Sequence, residues 1–357
     1  MWATEEGTVA LVDPISGAGA MPTRNGSTGT FDGAGRINSE SLLKRRIKNR
    51  ACAQCGLACR QFHRFQTIAC EGPEYETVVL CGANCGIDDL DVLAEFNYAC
   101  DEVGLDTIST GATVALAMDL CERGIADYGF GFSDADAYRT LPRLMARREG
   151  AGRDLSEGAR HLAAKWGHPE LAMEVKNLEL PAYDPRAAFG MGLAYATSDR
   201  GGCHMRAFPI SEELLLGSMA CDTFEGKAQL VIDQQNISAF TFTGIWCANW
   251  ALTPEHAAQQ MRFLWDREVD PEELLEVGER VWNLGRLLNL REGLEPTDDA
   301  LPARIFDQST KRGDSEKAMG REAFAEALRQ YYQLRGWDDS GVPTRETLAR
   351  LQVEVEI

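Results

Sequence analysis

Three cysteines fall within one short run, Cys52, Cys55 and Cys59 in CAQCGLACR. A C-x2-C-x3-C spacing places three thiols on one loop. The fold must therefore present that loop and bring a further ligand from elsewhere in the chain. Iron–sulfur clusters are held by four cysteine thiolates, often three from one run and one from afar. Zinc sites are more often built from two separated pairs. The alternative for this run is three buried or incidental cysteines. The chain holds 11 cysteines, an odd number that does not read as a disulfide framework.

Charge and hydropathy narrow the class. The formal net charge is -19. No basic stripe is available to neutralise phosphates, so nucleic acid is not an expected partner. The local exception is Lys44, Arg45, Arg46, Lys48 and Arg50, just before the cysteines. This run reads either as a solvated helix face or as a positive surface that attracts an acidic electron carrier. No apolar stretch is long enough to span a bilayer, and the N-terminus lacks a signal-peptide pattern. The expectation is a cytoplasmic protein with reduced thiols and no membrane partner.

The length suggests two domains. The Pro-rich stretch from Leu180 to Pro185 places their boundary, giving 1–180 and 181–357. The segment to about Arg36 is rich in Gly, Thr and Asn and reads as extended chain and turns, with Thr8–Val12 as a short strand. Helical signals dominate beyond it. Asp88 or Asp89 caps a helix whose apolar face is Leu90, Leu93, Phe96, Cys100 and Val103, with Gly104 just past its end. Thr113–Cys121 reads as a second helix stopped at Gly124. Asp270-Pro271-Glu272-Glu273 combines an N-cap, a Pro at the first helical position and a capping-box Glu. Leu274, Val277, Val281, Leu284 and Leu288 should then line one face. Phe324, Leu328 and Tyr331 mark another helix, ended by Gly336.

Further segments can carry chemistry. Asp101 and Asp106 flank Val103-Gly104-Leu105. A carboxylate accepts two parallel hydrogen bonds from a planar N–H/NH2 edge, such as the one a pterin presents. Ordinary capping by Asp106 is the alternative, and the two are compatible. Glu74 and Glu76 flank Tyr75 among apolar neighbours. A partly buried Glu moves protons near neutral pH because burial raises its pKa. His204 and Arg206 follow the Gly201-Gly202 pair, as a proton shuttle and an anion clamp or as structural residues. Cys247, in FTFTGIWCANW, is the preferred distant thiolate, although seven other cysteines lie outside the run and spacing alone does not select among them.

Taken together and in order, the three-cysteine run, GPEYET, DEVGLDTISTG, YATSDRGGCHMRA and YYQLRGWDDSGVPT resemble the tungsten-containing aldehyde ferredoxin oxidoreductases. The resemblance runs from about Thr8 to about Leu351. It implies a mainly α fold of two packed helical domains, the family's second and third. It implies Cys52, Cys55, Cys59 and Cys247 as ligands of a [4Fe-4S] cluster. Asp101 and Asp106 would belong to a pterin-binding motif, with Arg206 as a basic residue close to the pterin. Glu76 and His204 would be proton-transfer groups near a tungsten, or molybdenum, held by a bis-pterin. The activity so implied is oxidation of an aldehyde to a carboxylic acid, with electrons passing to ferredoxin or a similar carrier.

The chain departs from the family's pattern in places. The family's N-terminal β-rich pterin saddle is not represented, so a separately encoded domain is an expected partner. The later pterin motif, D-x-x-G-L-C, is replaced by TFTGIWC, which lacks the Asp and inserts Trp246 before Cys247. Glu95-Phe96-Asn97-Tyr98 stands where some members carry a bridging E-x-x-H. Two other functions remain open: an acyl-CoA-reducing or other relative, and a non-catalytic iron–sulfur electron-transfer or scaffold protein without pterin.

Overall fold

The computed structural model describes residues 2–312 and 315–354. The chain is mainly α-helical and divides into two compact units. The first comprises Met1–Ala188 and Leu301–Ala318, and the second comprises Phe189–Ala300 and Met319–Ile357. The division thus falls just after the Pro-rich stretch. A return segment near residue 310 belongs to the first unit, not to the second.

The first unit opens with short helices rather than a strand. Thr8–Leu11 is a 3-10 turn that runs into the helix Val12–Gly17. Val9, Val12 and Ile15 are all buried at three-residue intervals. That is a helical period, and it overrides the β-branched composition that suggests a strand. The basic run likewise departs from a helix face. Its second half is strand β1 (Arg46–Arg50), which pairs antiparallel with β2 (Arg60–Arg64), itself paired with β3 (Ala69–Glu71). On β2, Gln61 and His63 point inward and are buried, while Arg60 and Arg64 face out. A strand's period of two sorts these residues cleanly.

Two consecutive helices follow, Leu90–Val103 and Thr107–Glu122. Asp89 caps the first by accepting from Asp91 N, and Gly104 ends it at φ 74. Asp106 caps the second by accepting from Ser109 N at 2.8 Å, which starts that helix earlier than Thr113. Asp119 lies buried on this second helix. It accepts from Asn25 Nδ2 at 3.0 Å and from Arg304 Nη2 at 2.7 Å. Arg186, fully buried, pairs with Asp184 and donates to the carbonyls of Gly26 and Gln308. These two arginines join four stretches of sequence into one unit.

In the second unit, Lys227–Thr243 packs on Pro271–Arg291, with Phe189–Thr197, Pro254–Trp265 and Arg321–Arg335 around them. Gly278 permits the closest approach: a Cβ there would lie 2.0 Å from Asn236 O. Asp270 caps the long helix and Gly336 ends the last one, both as expected. The buried face of Pro271–Arg291 is not the expected row. Val281, Leu284 and Leu288 are exposed, whereas Leu274, Gly278, Trp282, Asn283, Arg286 and Leu287 are buried. Polar groups turn the helix. Asn283 Oδ1 accepts from Trp337 Nε1 at 2.7 Å, and Arg286 pairs with Asp299 at 2.8 Å. Hydrogen-bonded polar side chains can occupy a core that a hydrophobicity pattern alone would assign to leucines.

Removing one partner of a buried ion pair leaves the other charge uncompensated. Arg304→Ala is therefore expected to destabilise the chain by about 3–5 kcal/mol. Urea unfolding of the variant measures this, and a midpoint equal to that of the unmodified chain would refute the bracing role.

Candidate functional site

Residues 51–59 connect β1 to β2 and carry all three cysteines of the run. The inner side of this loop is fastened to the first unit. Leu57 is buried, and its carbonyl accepts from Thr4 Oγ1 at 2.7 Å. Asn49 Nδ2 donates to Thr4 O and Ala58 O. Cys52 is left exposed, with Cys55 and Cys59 half-buried. Cys55 N donates to Cys52 O at 3.1 Å, which closes a turn. Gln54 and Ala58 adopt left-handed backbone, at φ 59 and 47. Such a conformation costs a non-glycine residue roughly 1–2 kcal/mol, and strain held in a loop points to a functional constraint.

None of the three cysteines is in a disulfide. Among the described residues, no three His, Cys, Asp or Glu side chains are gathered into a metal-binding group. The donor set nonetheless fits an iron–sulfur cluster, since three reduced cysteines share one anchored loop.

Glu76 sits in the short helix Tyr75–Thr77 of the same unit. Its Oε2 accepts from Ala182 N at 2.8 Å. Tyr75 reinforces this contact, donating to Ala182 O at 2.7 Å and stacking on Tyr183 at 5.1 Å. Desolvation raises the Glu76 carboxyl to about 8, against the pull of the Ala182 N–H, and Asp106 raises it further. Glu76 therefore holds a proton at neutral pH and can release it. Glu74, next to it, is bonded by Thr8 Oγ1, and Thr8 in turn accepts from Tyr75 N.

The structure gives Asp101 and Asp106 different roles. Asp106 is the N-cap already described. Asp101 is exposed in the last turn of Leu90–Val103, where no basic residue is present. A carboxylate there opposes the helix dipole. Desolvation raises its pKa, Glu71 raises it further and Arg60 lowers it.

His204, Arg206 and Cys247 belong to the second unit. Desolvation, and then Arg200, lowers the His204 pKa to about 4, so the imidazole is neutral at physiological pH. Arg206 Nε donates to Asp199 Oδ1 at 2.8 Å, and its guanidinium lies 5.1 Å from the centre of the Phe242 ring. Asp199, Arg206 and Phe242 line a cavity of about 260 Å³ with Thr243, Val281 and Trp282. Cys247 is exposed just ahead of the turn Ala248–Trp250. Trp246 packs edge-on against Phe240 at 5.9 Å, so the inserted tryptophan takes the core side and Cys247 is turned out. Ile245 has φ 58 and is 92 % exposed, an unusual state for a β-branched residue.

The family model for aldehyde ferredoxin oxidoreductase, domains 2 and 3, matches residues 1–353. The chain belongs to this family. It is 38 % identical, over 97 % of its length, to the tungsten-containing aldehyde ferredoxin oxidoreductase of Pyrococcus furiosus, and equally so to that of Thermococcus kodakarensis. It spans 60 % of the length of these curated relatives. An aliphatic sulfonate oxidoreductase, WOR-like subunit, of Pyrococcus furiosus is 28 % identical over 79 % of the chain, which covers 46 % of that protein. Among solved structures, the active site complex BamBC of benzoyl coenzyme A reductase, in complex with 1,5-dienoyl-CoA, matches with a TM-score of 0.76 at 18 % identity. That match covers 98 % of this chain and 59 % of the other. At this identity the likeness is one of fold alone.

Thr241 stands where the resemblance to the family leads one to expect the Asp of the later D-x-x-G-L-C pterin motif. Thr241 is buried and lines a separate cavity of about 150 Å³ with Ile237, Phe242 and Ala248. A neutral hydroxyl offers one donor and no charge, so it does not replace a carboxylate that takes two parallel bonds. The segment that sequence reasoning missed is Leu180–Arg186. Its Pro-rich part reads as a domain boundary, yet Ala182, Tyr183, Asp184 and Arg186 are all buried, and the Ala182 N–H donates to Glu76. The aromatic and charged residues between its prolines were the available signal.

A carboxyl whose folded pKa lies above its ordinary value stabilises the fold least when ionised. For Glu76, stability should fall as pH rises from the ordinary 4.5 to about 8. Glu76→Gln removes that dependence, so the variant gains on the unmodified chain across this window and the difference levels off above it. Urea unfolding at acidic, neutral and alkaline pH checks this; a difference independent of pH would contradict it.

Proposed function

We propose that this chain is the C-terminal portion of an oxidoreductase that converts an aldehyde and water to a carboxylic acid. The observation that carries this reading is Glu76, a carboxyl held protonated up to about pH 8 next to the DEVGLD motif, in the same unit as the three-thiol loop. Its relatives named as tungsten-containing aldehyde ferredoxin oxidoreductases support it. The family's first domain, supplied on the same polypeptide or separately, completes the cofactor seat.

Cys52, Cys55 and Cys59 hold a [4Fe-4S] cluster, and Cys247 is the proposed fourth ligand. Asp101 and Asp106 accept hydrogen bonds from the pterin edge, and Arg206 offers a cation to its anionic groups. A tungsten or molybdenum bis-pterin, when bound, supplies the oxygen-transfer and two-electron chemistry. Glu76 takes or returns the proton of the reacting water. His204, neutral at working pH, donates or accepts a hydrogen bond without adding charge. A cluster held there would supply one-electron transfer toward an acidic carrier of the ferredoxin type. The outward face of the β1–β2 hairpin suits such a partner, because Lys48 and Arg64 are exposed on it in a chain of net charge -19. We place this activity in the cytoplasm. Among the described residues, no helix is long and apolar enough to cross a membrane.

General acid–base groups contribute about 10²–10⁴-fold to rate. In the assembled enzyme, Glu76→Gln and His204→Asn should each lower kcat for aldehyde oxidation by about 10²-fold or more, with little change in KM. The unmodified enzyme should also show a pH–rate limb near 8 that Glu76→Gln lacks. Aldehyde-dependent reduction of a viologen dye provides the assay. Unchanged turnover in both variants would end the proton-transfer reading.

A further inference from the structure

The β1–β2 register sets Arg50 directly opposite Arg60. Like charges in that position repel and destabilise a sheet. These two residues also mark the two ends of the 51–59 loop, so the repulsion is built into the base of the three-cysteine site. Glu71 on β3 compensates both. Arg50 Nη1 lies 3.2 Å from its Oε1, and Arg60 Nη2 pairs with its Oε2. One carboxylate serves two guanidiniums, so these three groups together carry one positive charge, while Glu74 and Asp101 also act on Arg60. Two of these groups, Glu71 and Arg60, also act on the second motif. Asp101, raised first by its own desolvation, is raised further by Glu71 and drawn down by Arg60.

We propose that Arg50, Arg60 and Glu71 form an electrostatic bridge that sets the reduction potential of the cluster on the 51–59 loop. This rests on the cluster reading given above. A four-thiolate cluster is anionic and becomes more so when it accepts one electron. Fixed positive charge at its base favours the reduced form, and arginine keeps its charge at any working pH. Glu71 opposes that effect while holding the two arginines in position. Charges and hydrogen bonds beside a metal centre are a recognised lever on its potential. The side chains of Arg50, Arg60 and Glu71 are 50 %, 49 % and 27 % exposed, so salt should weaken the effect. All three are positioning residues, because they act through the cluster and not on a substrate.

The test uses the full chain, purified anaerobically with its cluster. Dithionite titration against redox mediators, followed by electron paramagnetic resonance, gives the midpoint potential, and iron analysis accompanies each sample. Arg60→Gln should shift the potential to more negative values and Glu71→Gln to more positive ones. Arg60→Lys, which keeps the charge, should stay close to the unmodified chain. Both shifts should shrink as salt is raised, with iron content unchanged. Opposite signs cannot arise from a general loosening of the loop. Shifts of one sign, or none, with iron retained would overturn the bridge and leave the cluster reading standing. Loss of iron in both charge-removing variants would make the three residues a mechanical brace and overturn their role in setting the potential. No iron in the unmodified chain would overturn the bridge and the cluster reading together.

Discussion

Two buried arginines carry the first unit. Arg304 meets Asp119 on the second long helix, and Arg186 meets Asp184 while donating to the carbonyls of Gly26 and Gln308. The groups they join are far apart in sequence. Buried charges are tolerable only when paired and hydrogen-bonded, so each arginine fixes its partners closely. The consequence reaches the candidate site. Holding residues 184–186 also holds Ala182, and the Ala182 N–H is what positions the Glu76 carboxylate. The candidate proton-transfer group is thus set by charges buried elsewhere in the same unit.

One physical cause, desolvation, sets the titration of both candidate proton-transfer groups, with opposite sign. It raises Glu76 to about 8 and lowers His204 to about 4. Burial disfavours the charged form, which is the anion for a carboxyl and the cation for an imidazole. Both groups are accordingly neutral at physiological pH.

Local signals were legible in the sequence, and long-range ones were not. The caps Asp89, Gly104, Asp270 and Gly336 act on their own helix ends, so spacing alone reveals them. The cysteine run is equally local. The face of Pro271–Arg291 was misread because Trp337 and Asp299, distant in sequence, draw Asn283 and Arg286 inward. Thr8–Val12 was read by composition, yet its burial follows a helical period. The Glu76–Ala182 bond spans more than a hundred residues, and no pattern of hydrophobicity announces it. Asp106 shows how one residue can answer to both levels, as a visible cap and as a charge acting on a buried glutamate. Trp246 explains locally why Cys247 is displaced from the family's spacing, since its ring packs on Phe240.

The most direct measurement is the metal content per chain of protein purified without oxygen. About four irons are expected in the chain itself, with tungsten or molybdenum added when the family's first domain is present. Protein that is folded and free of iron would contradict the cluster, and with it the route by which electrons are proposed to leave the site.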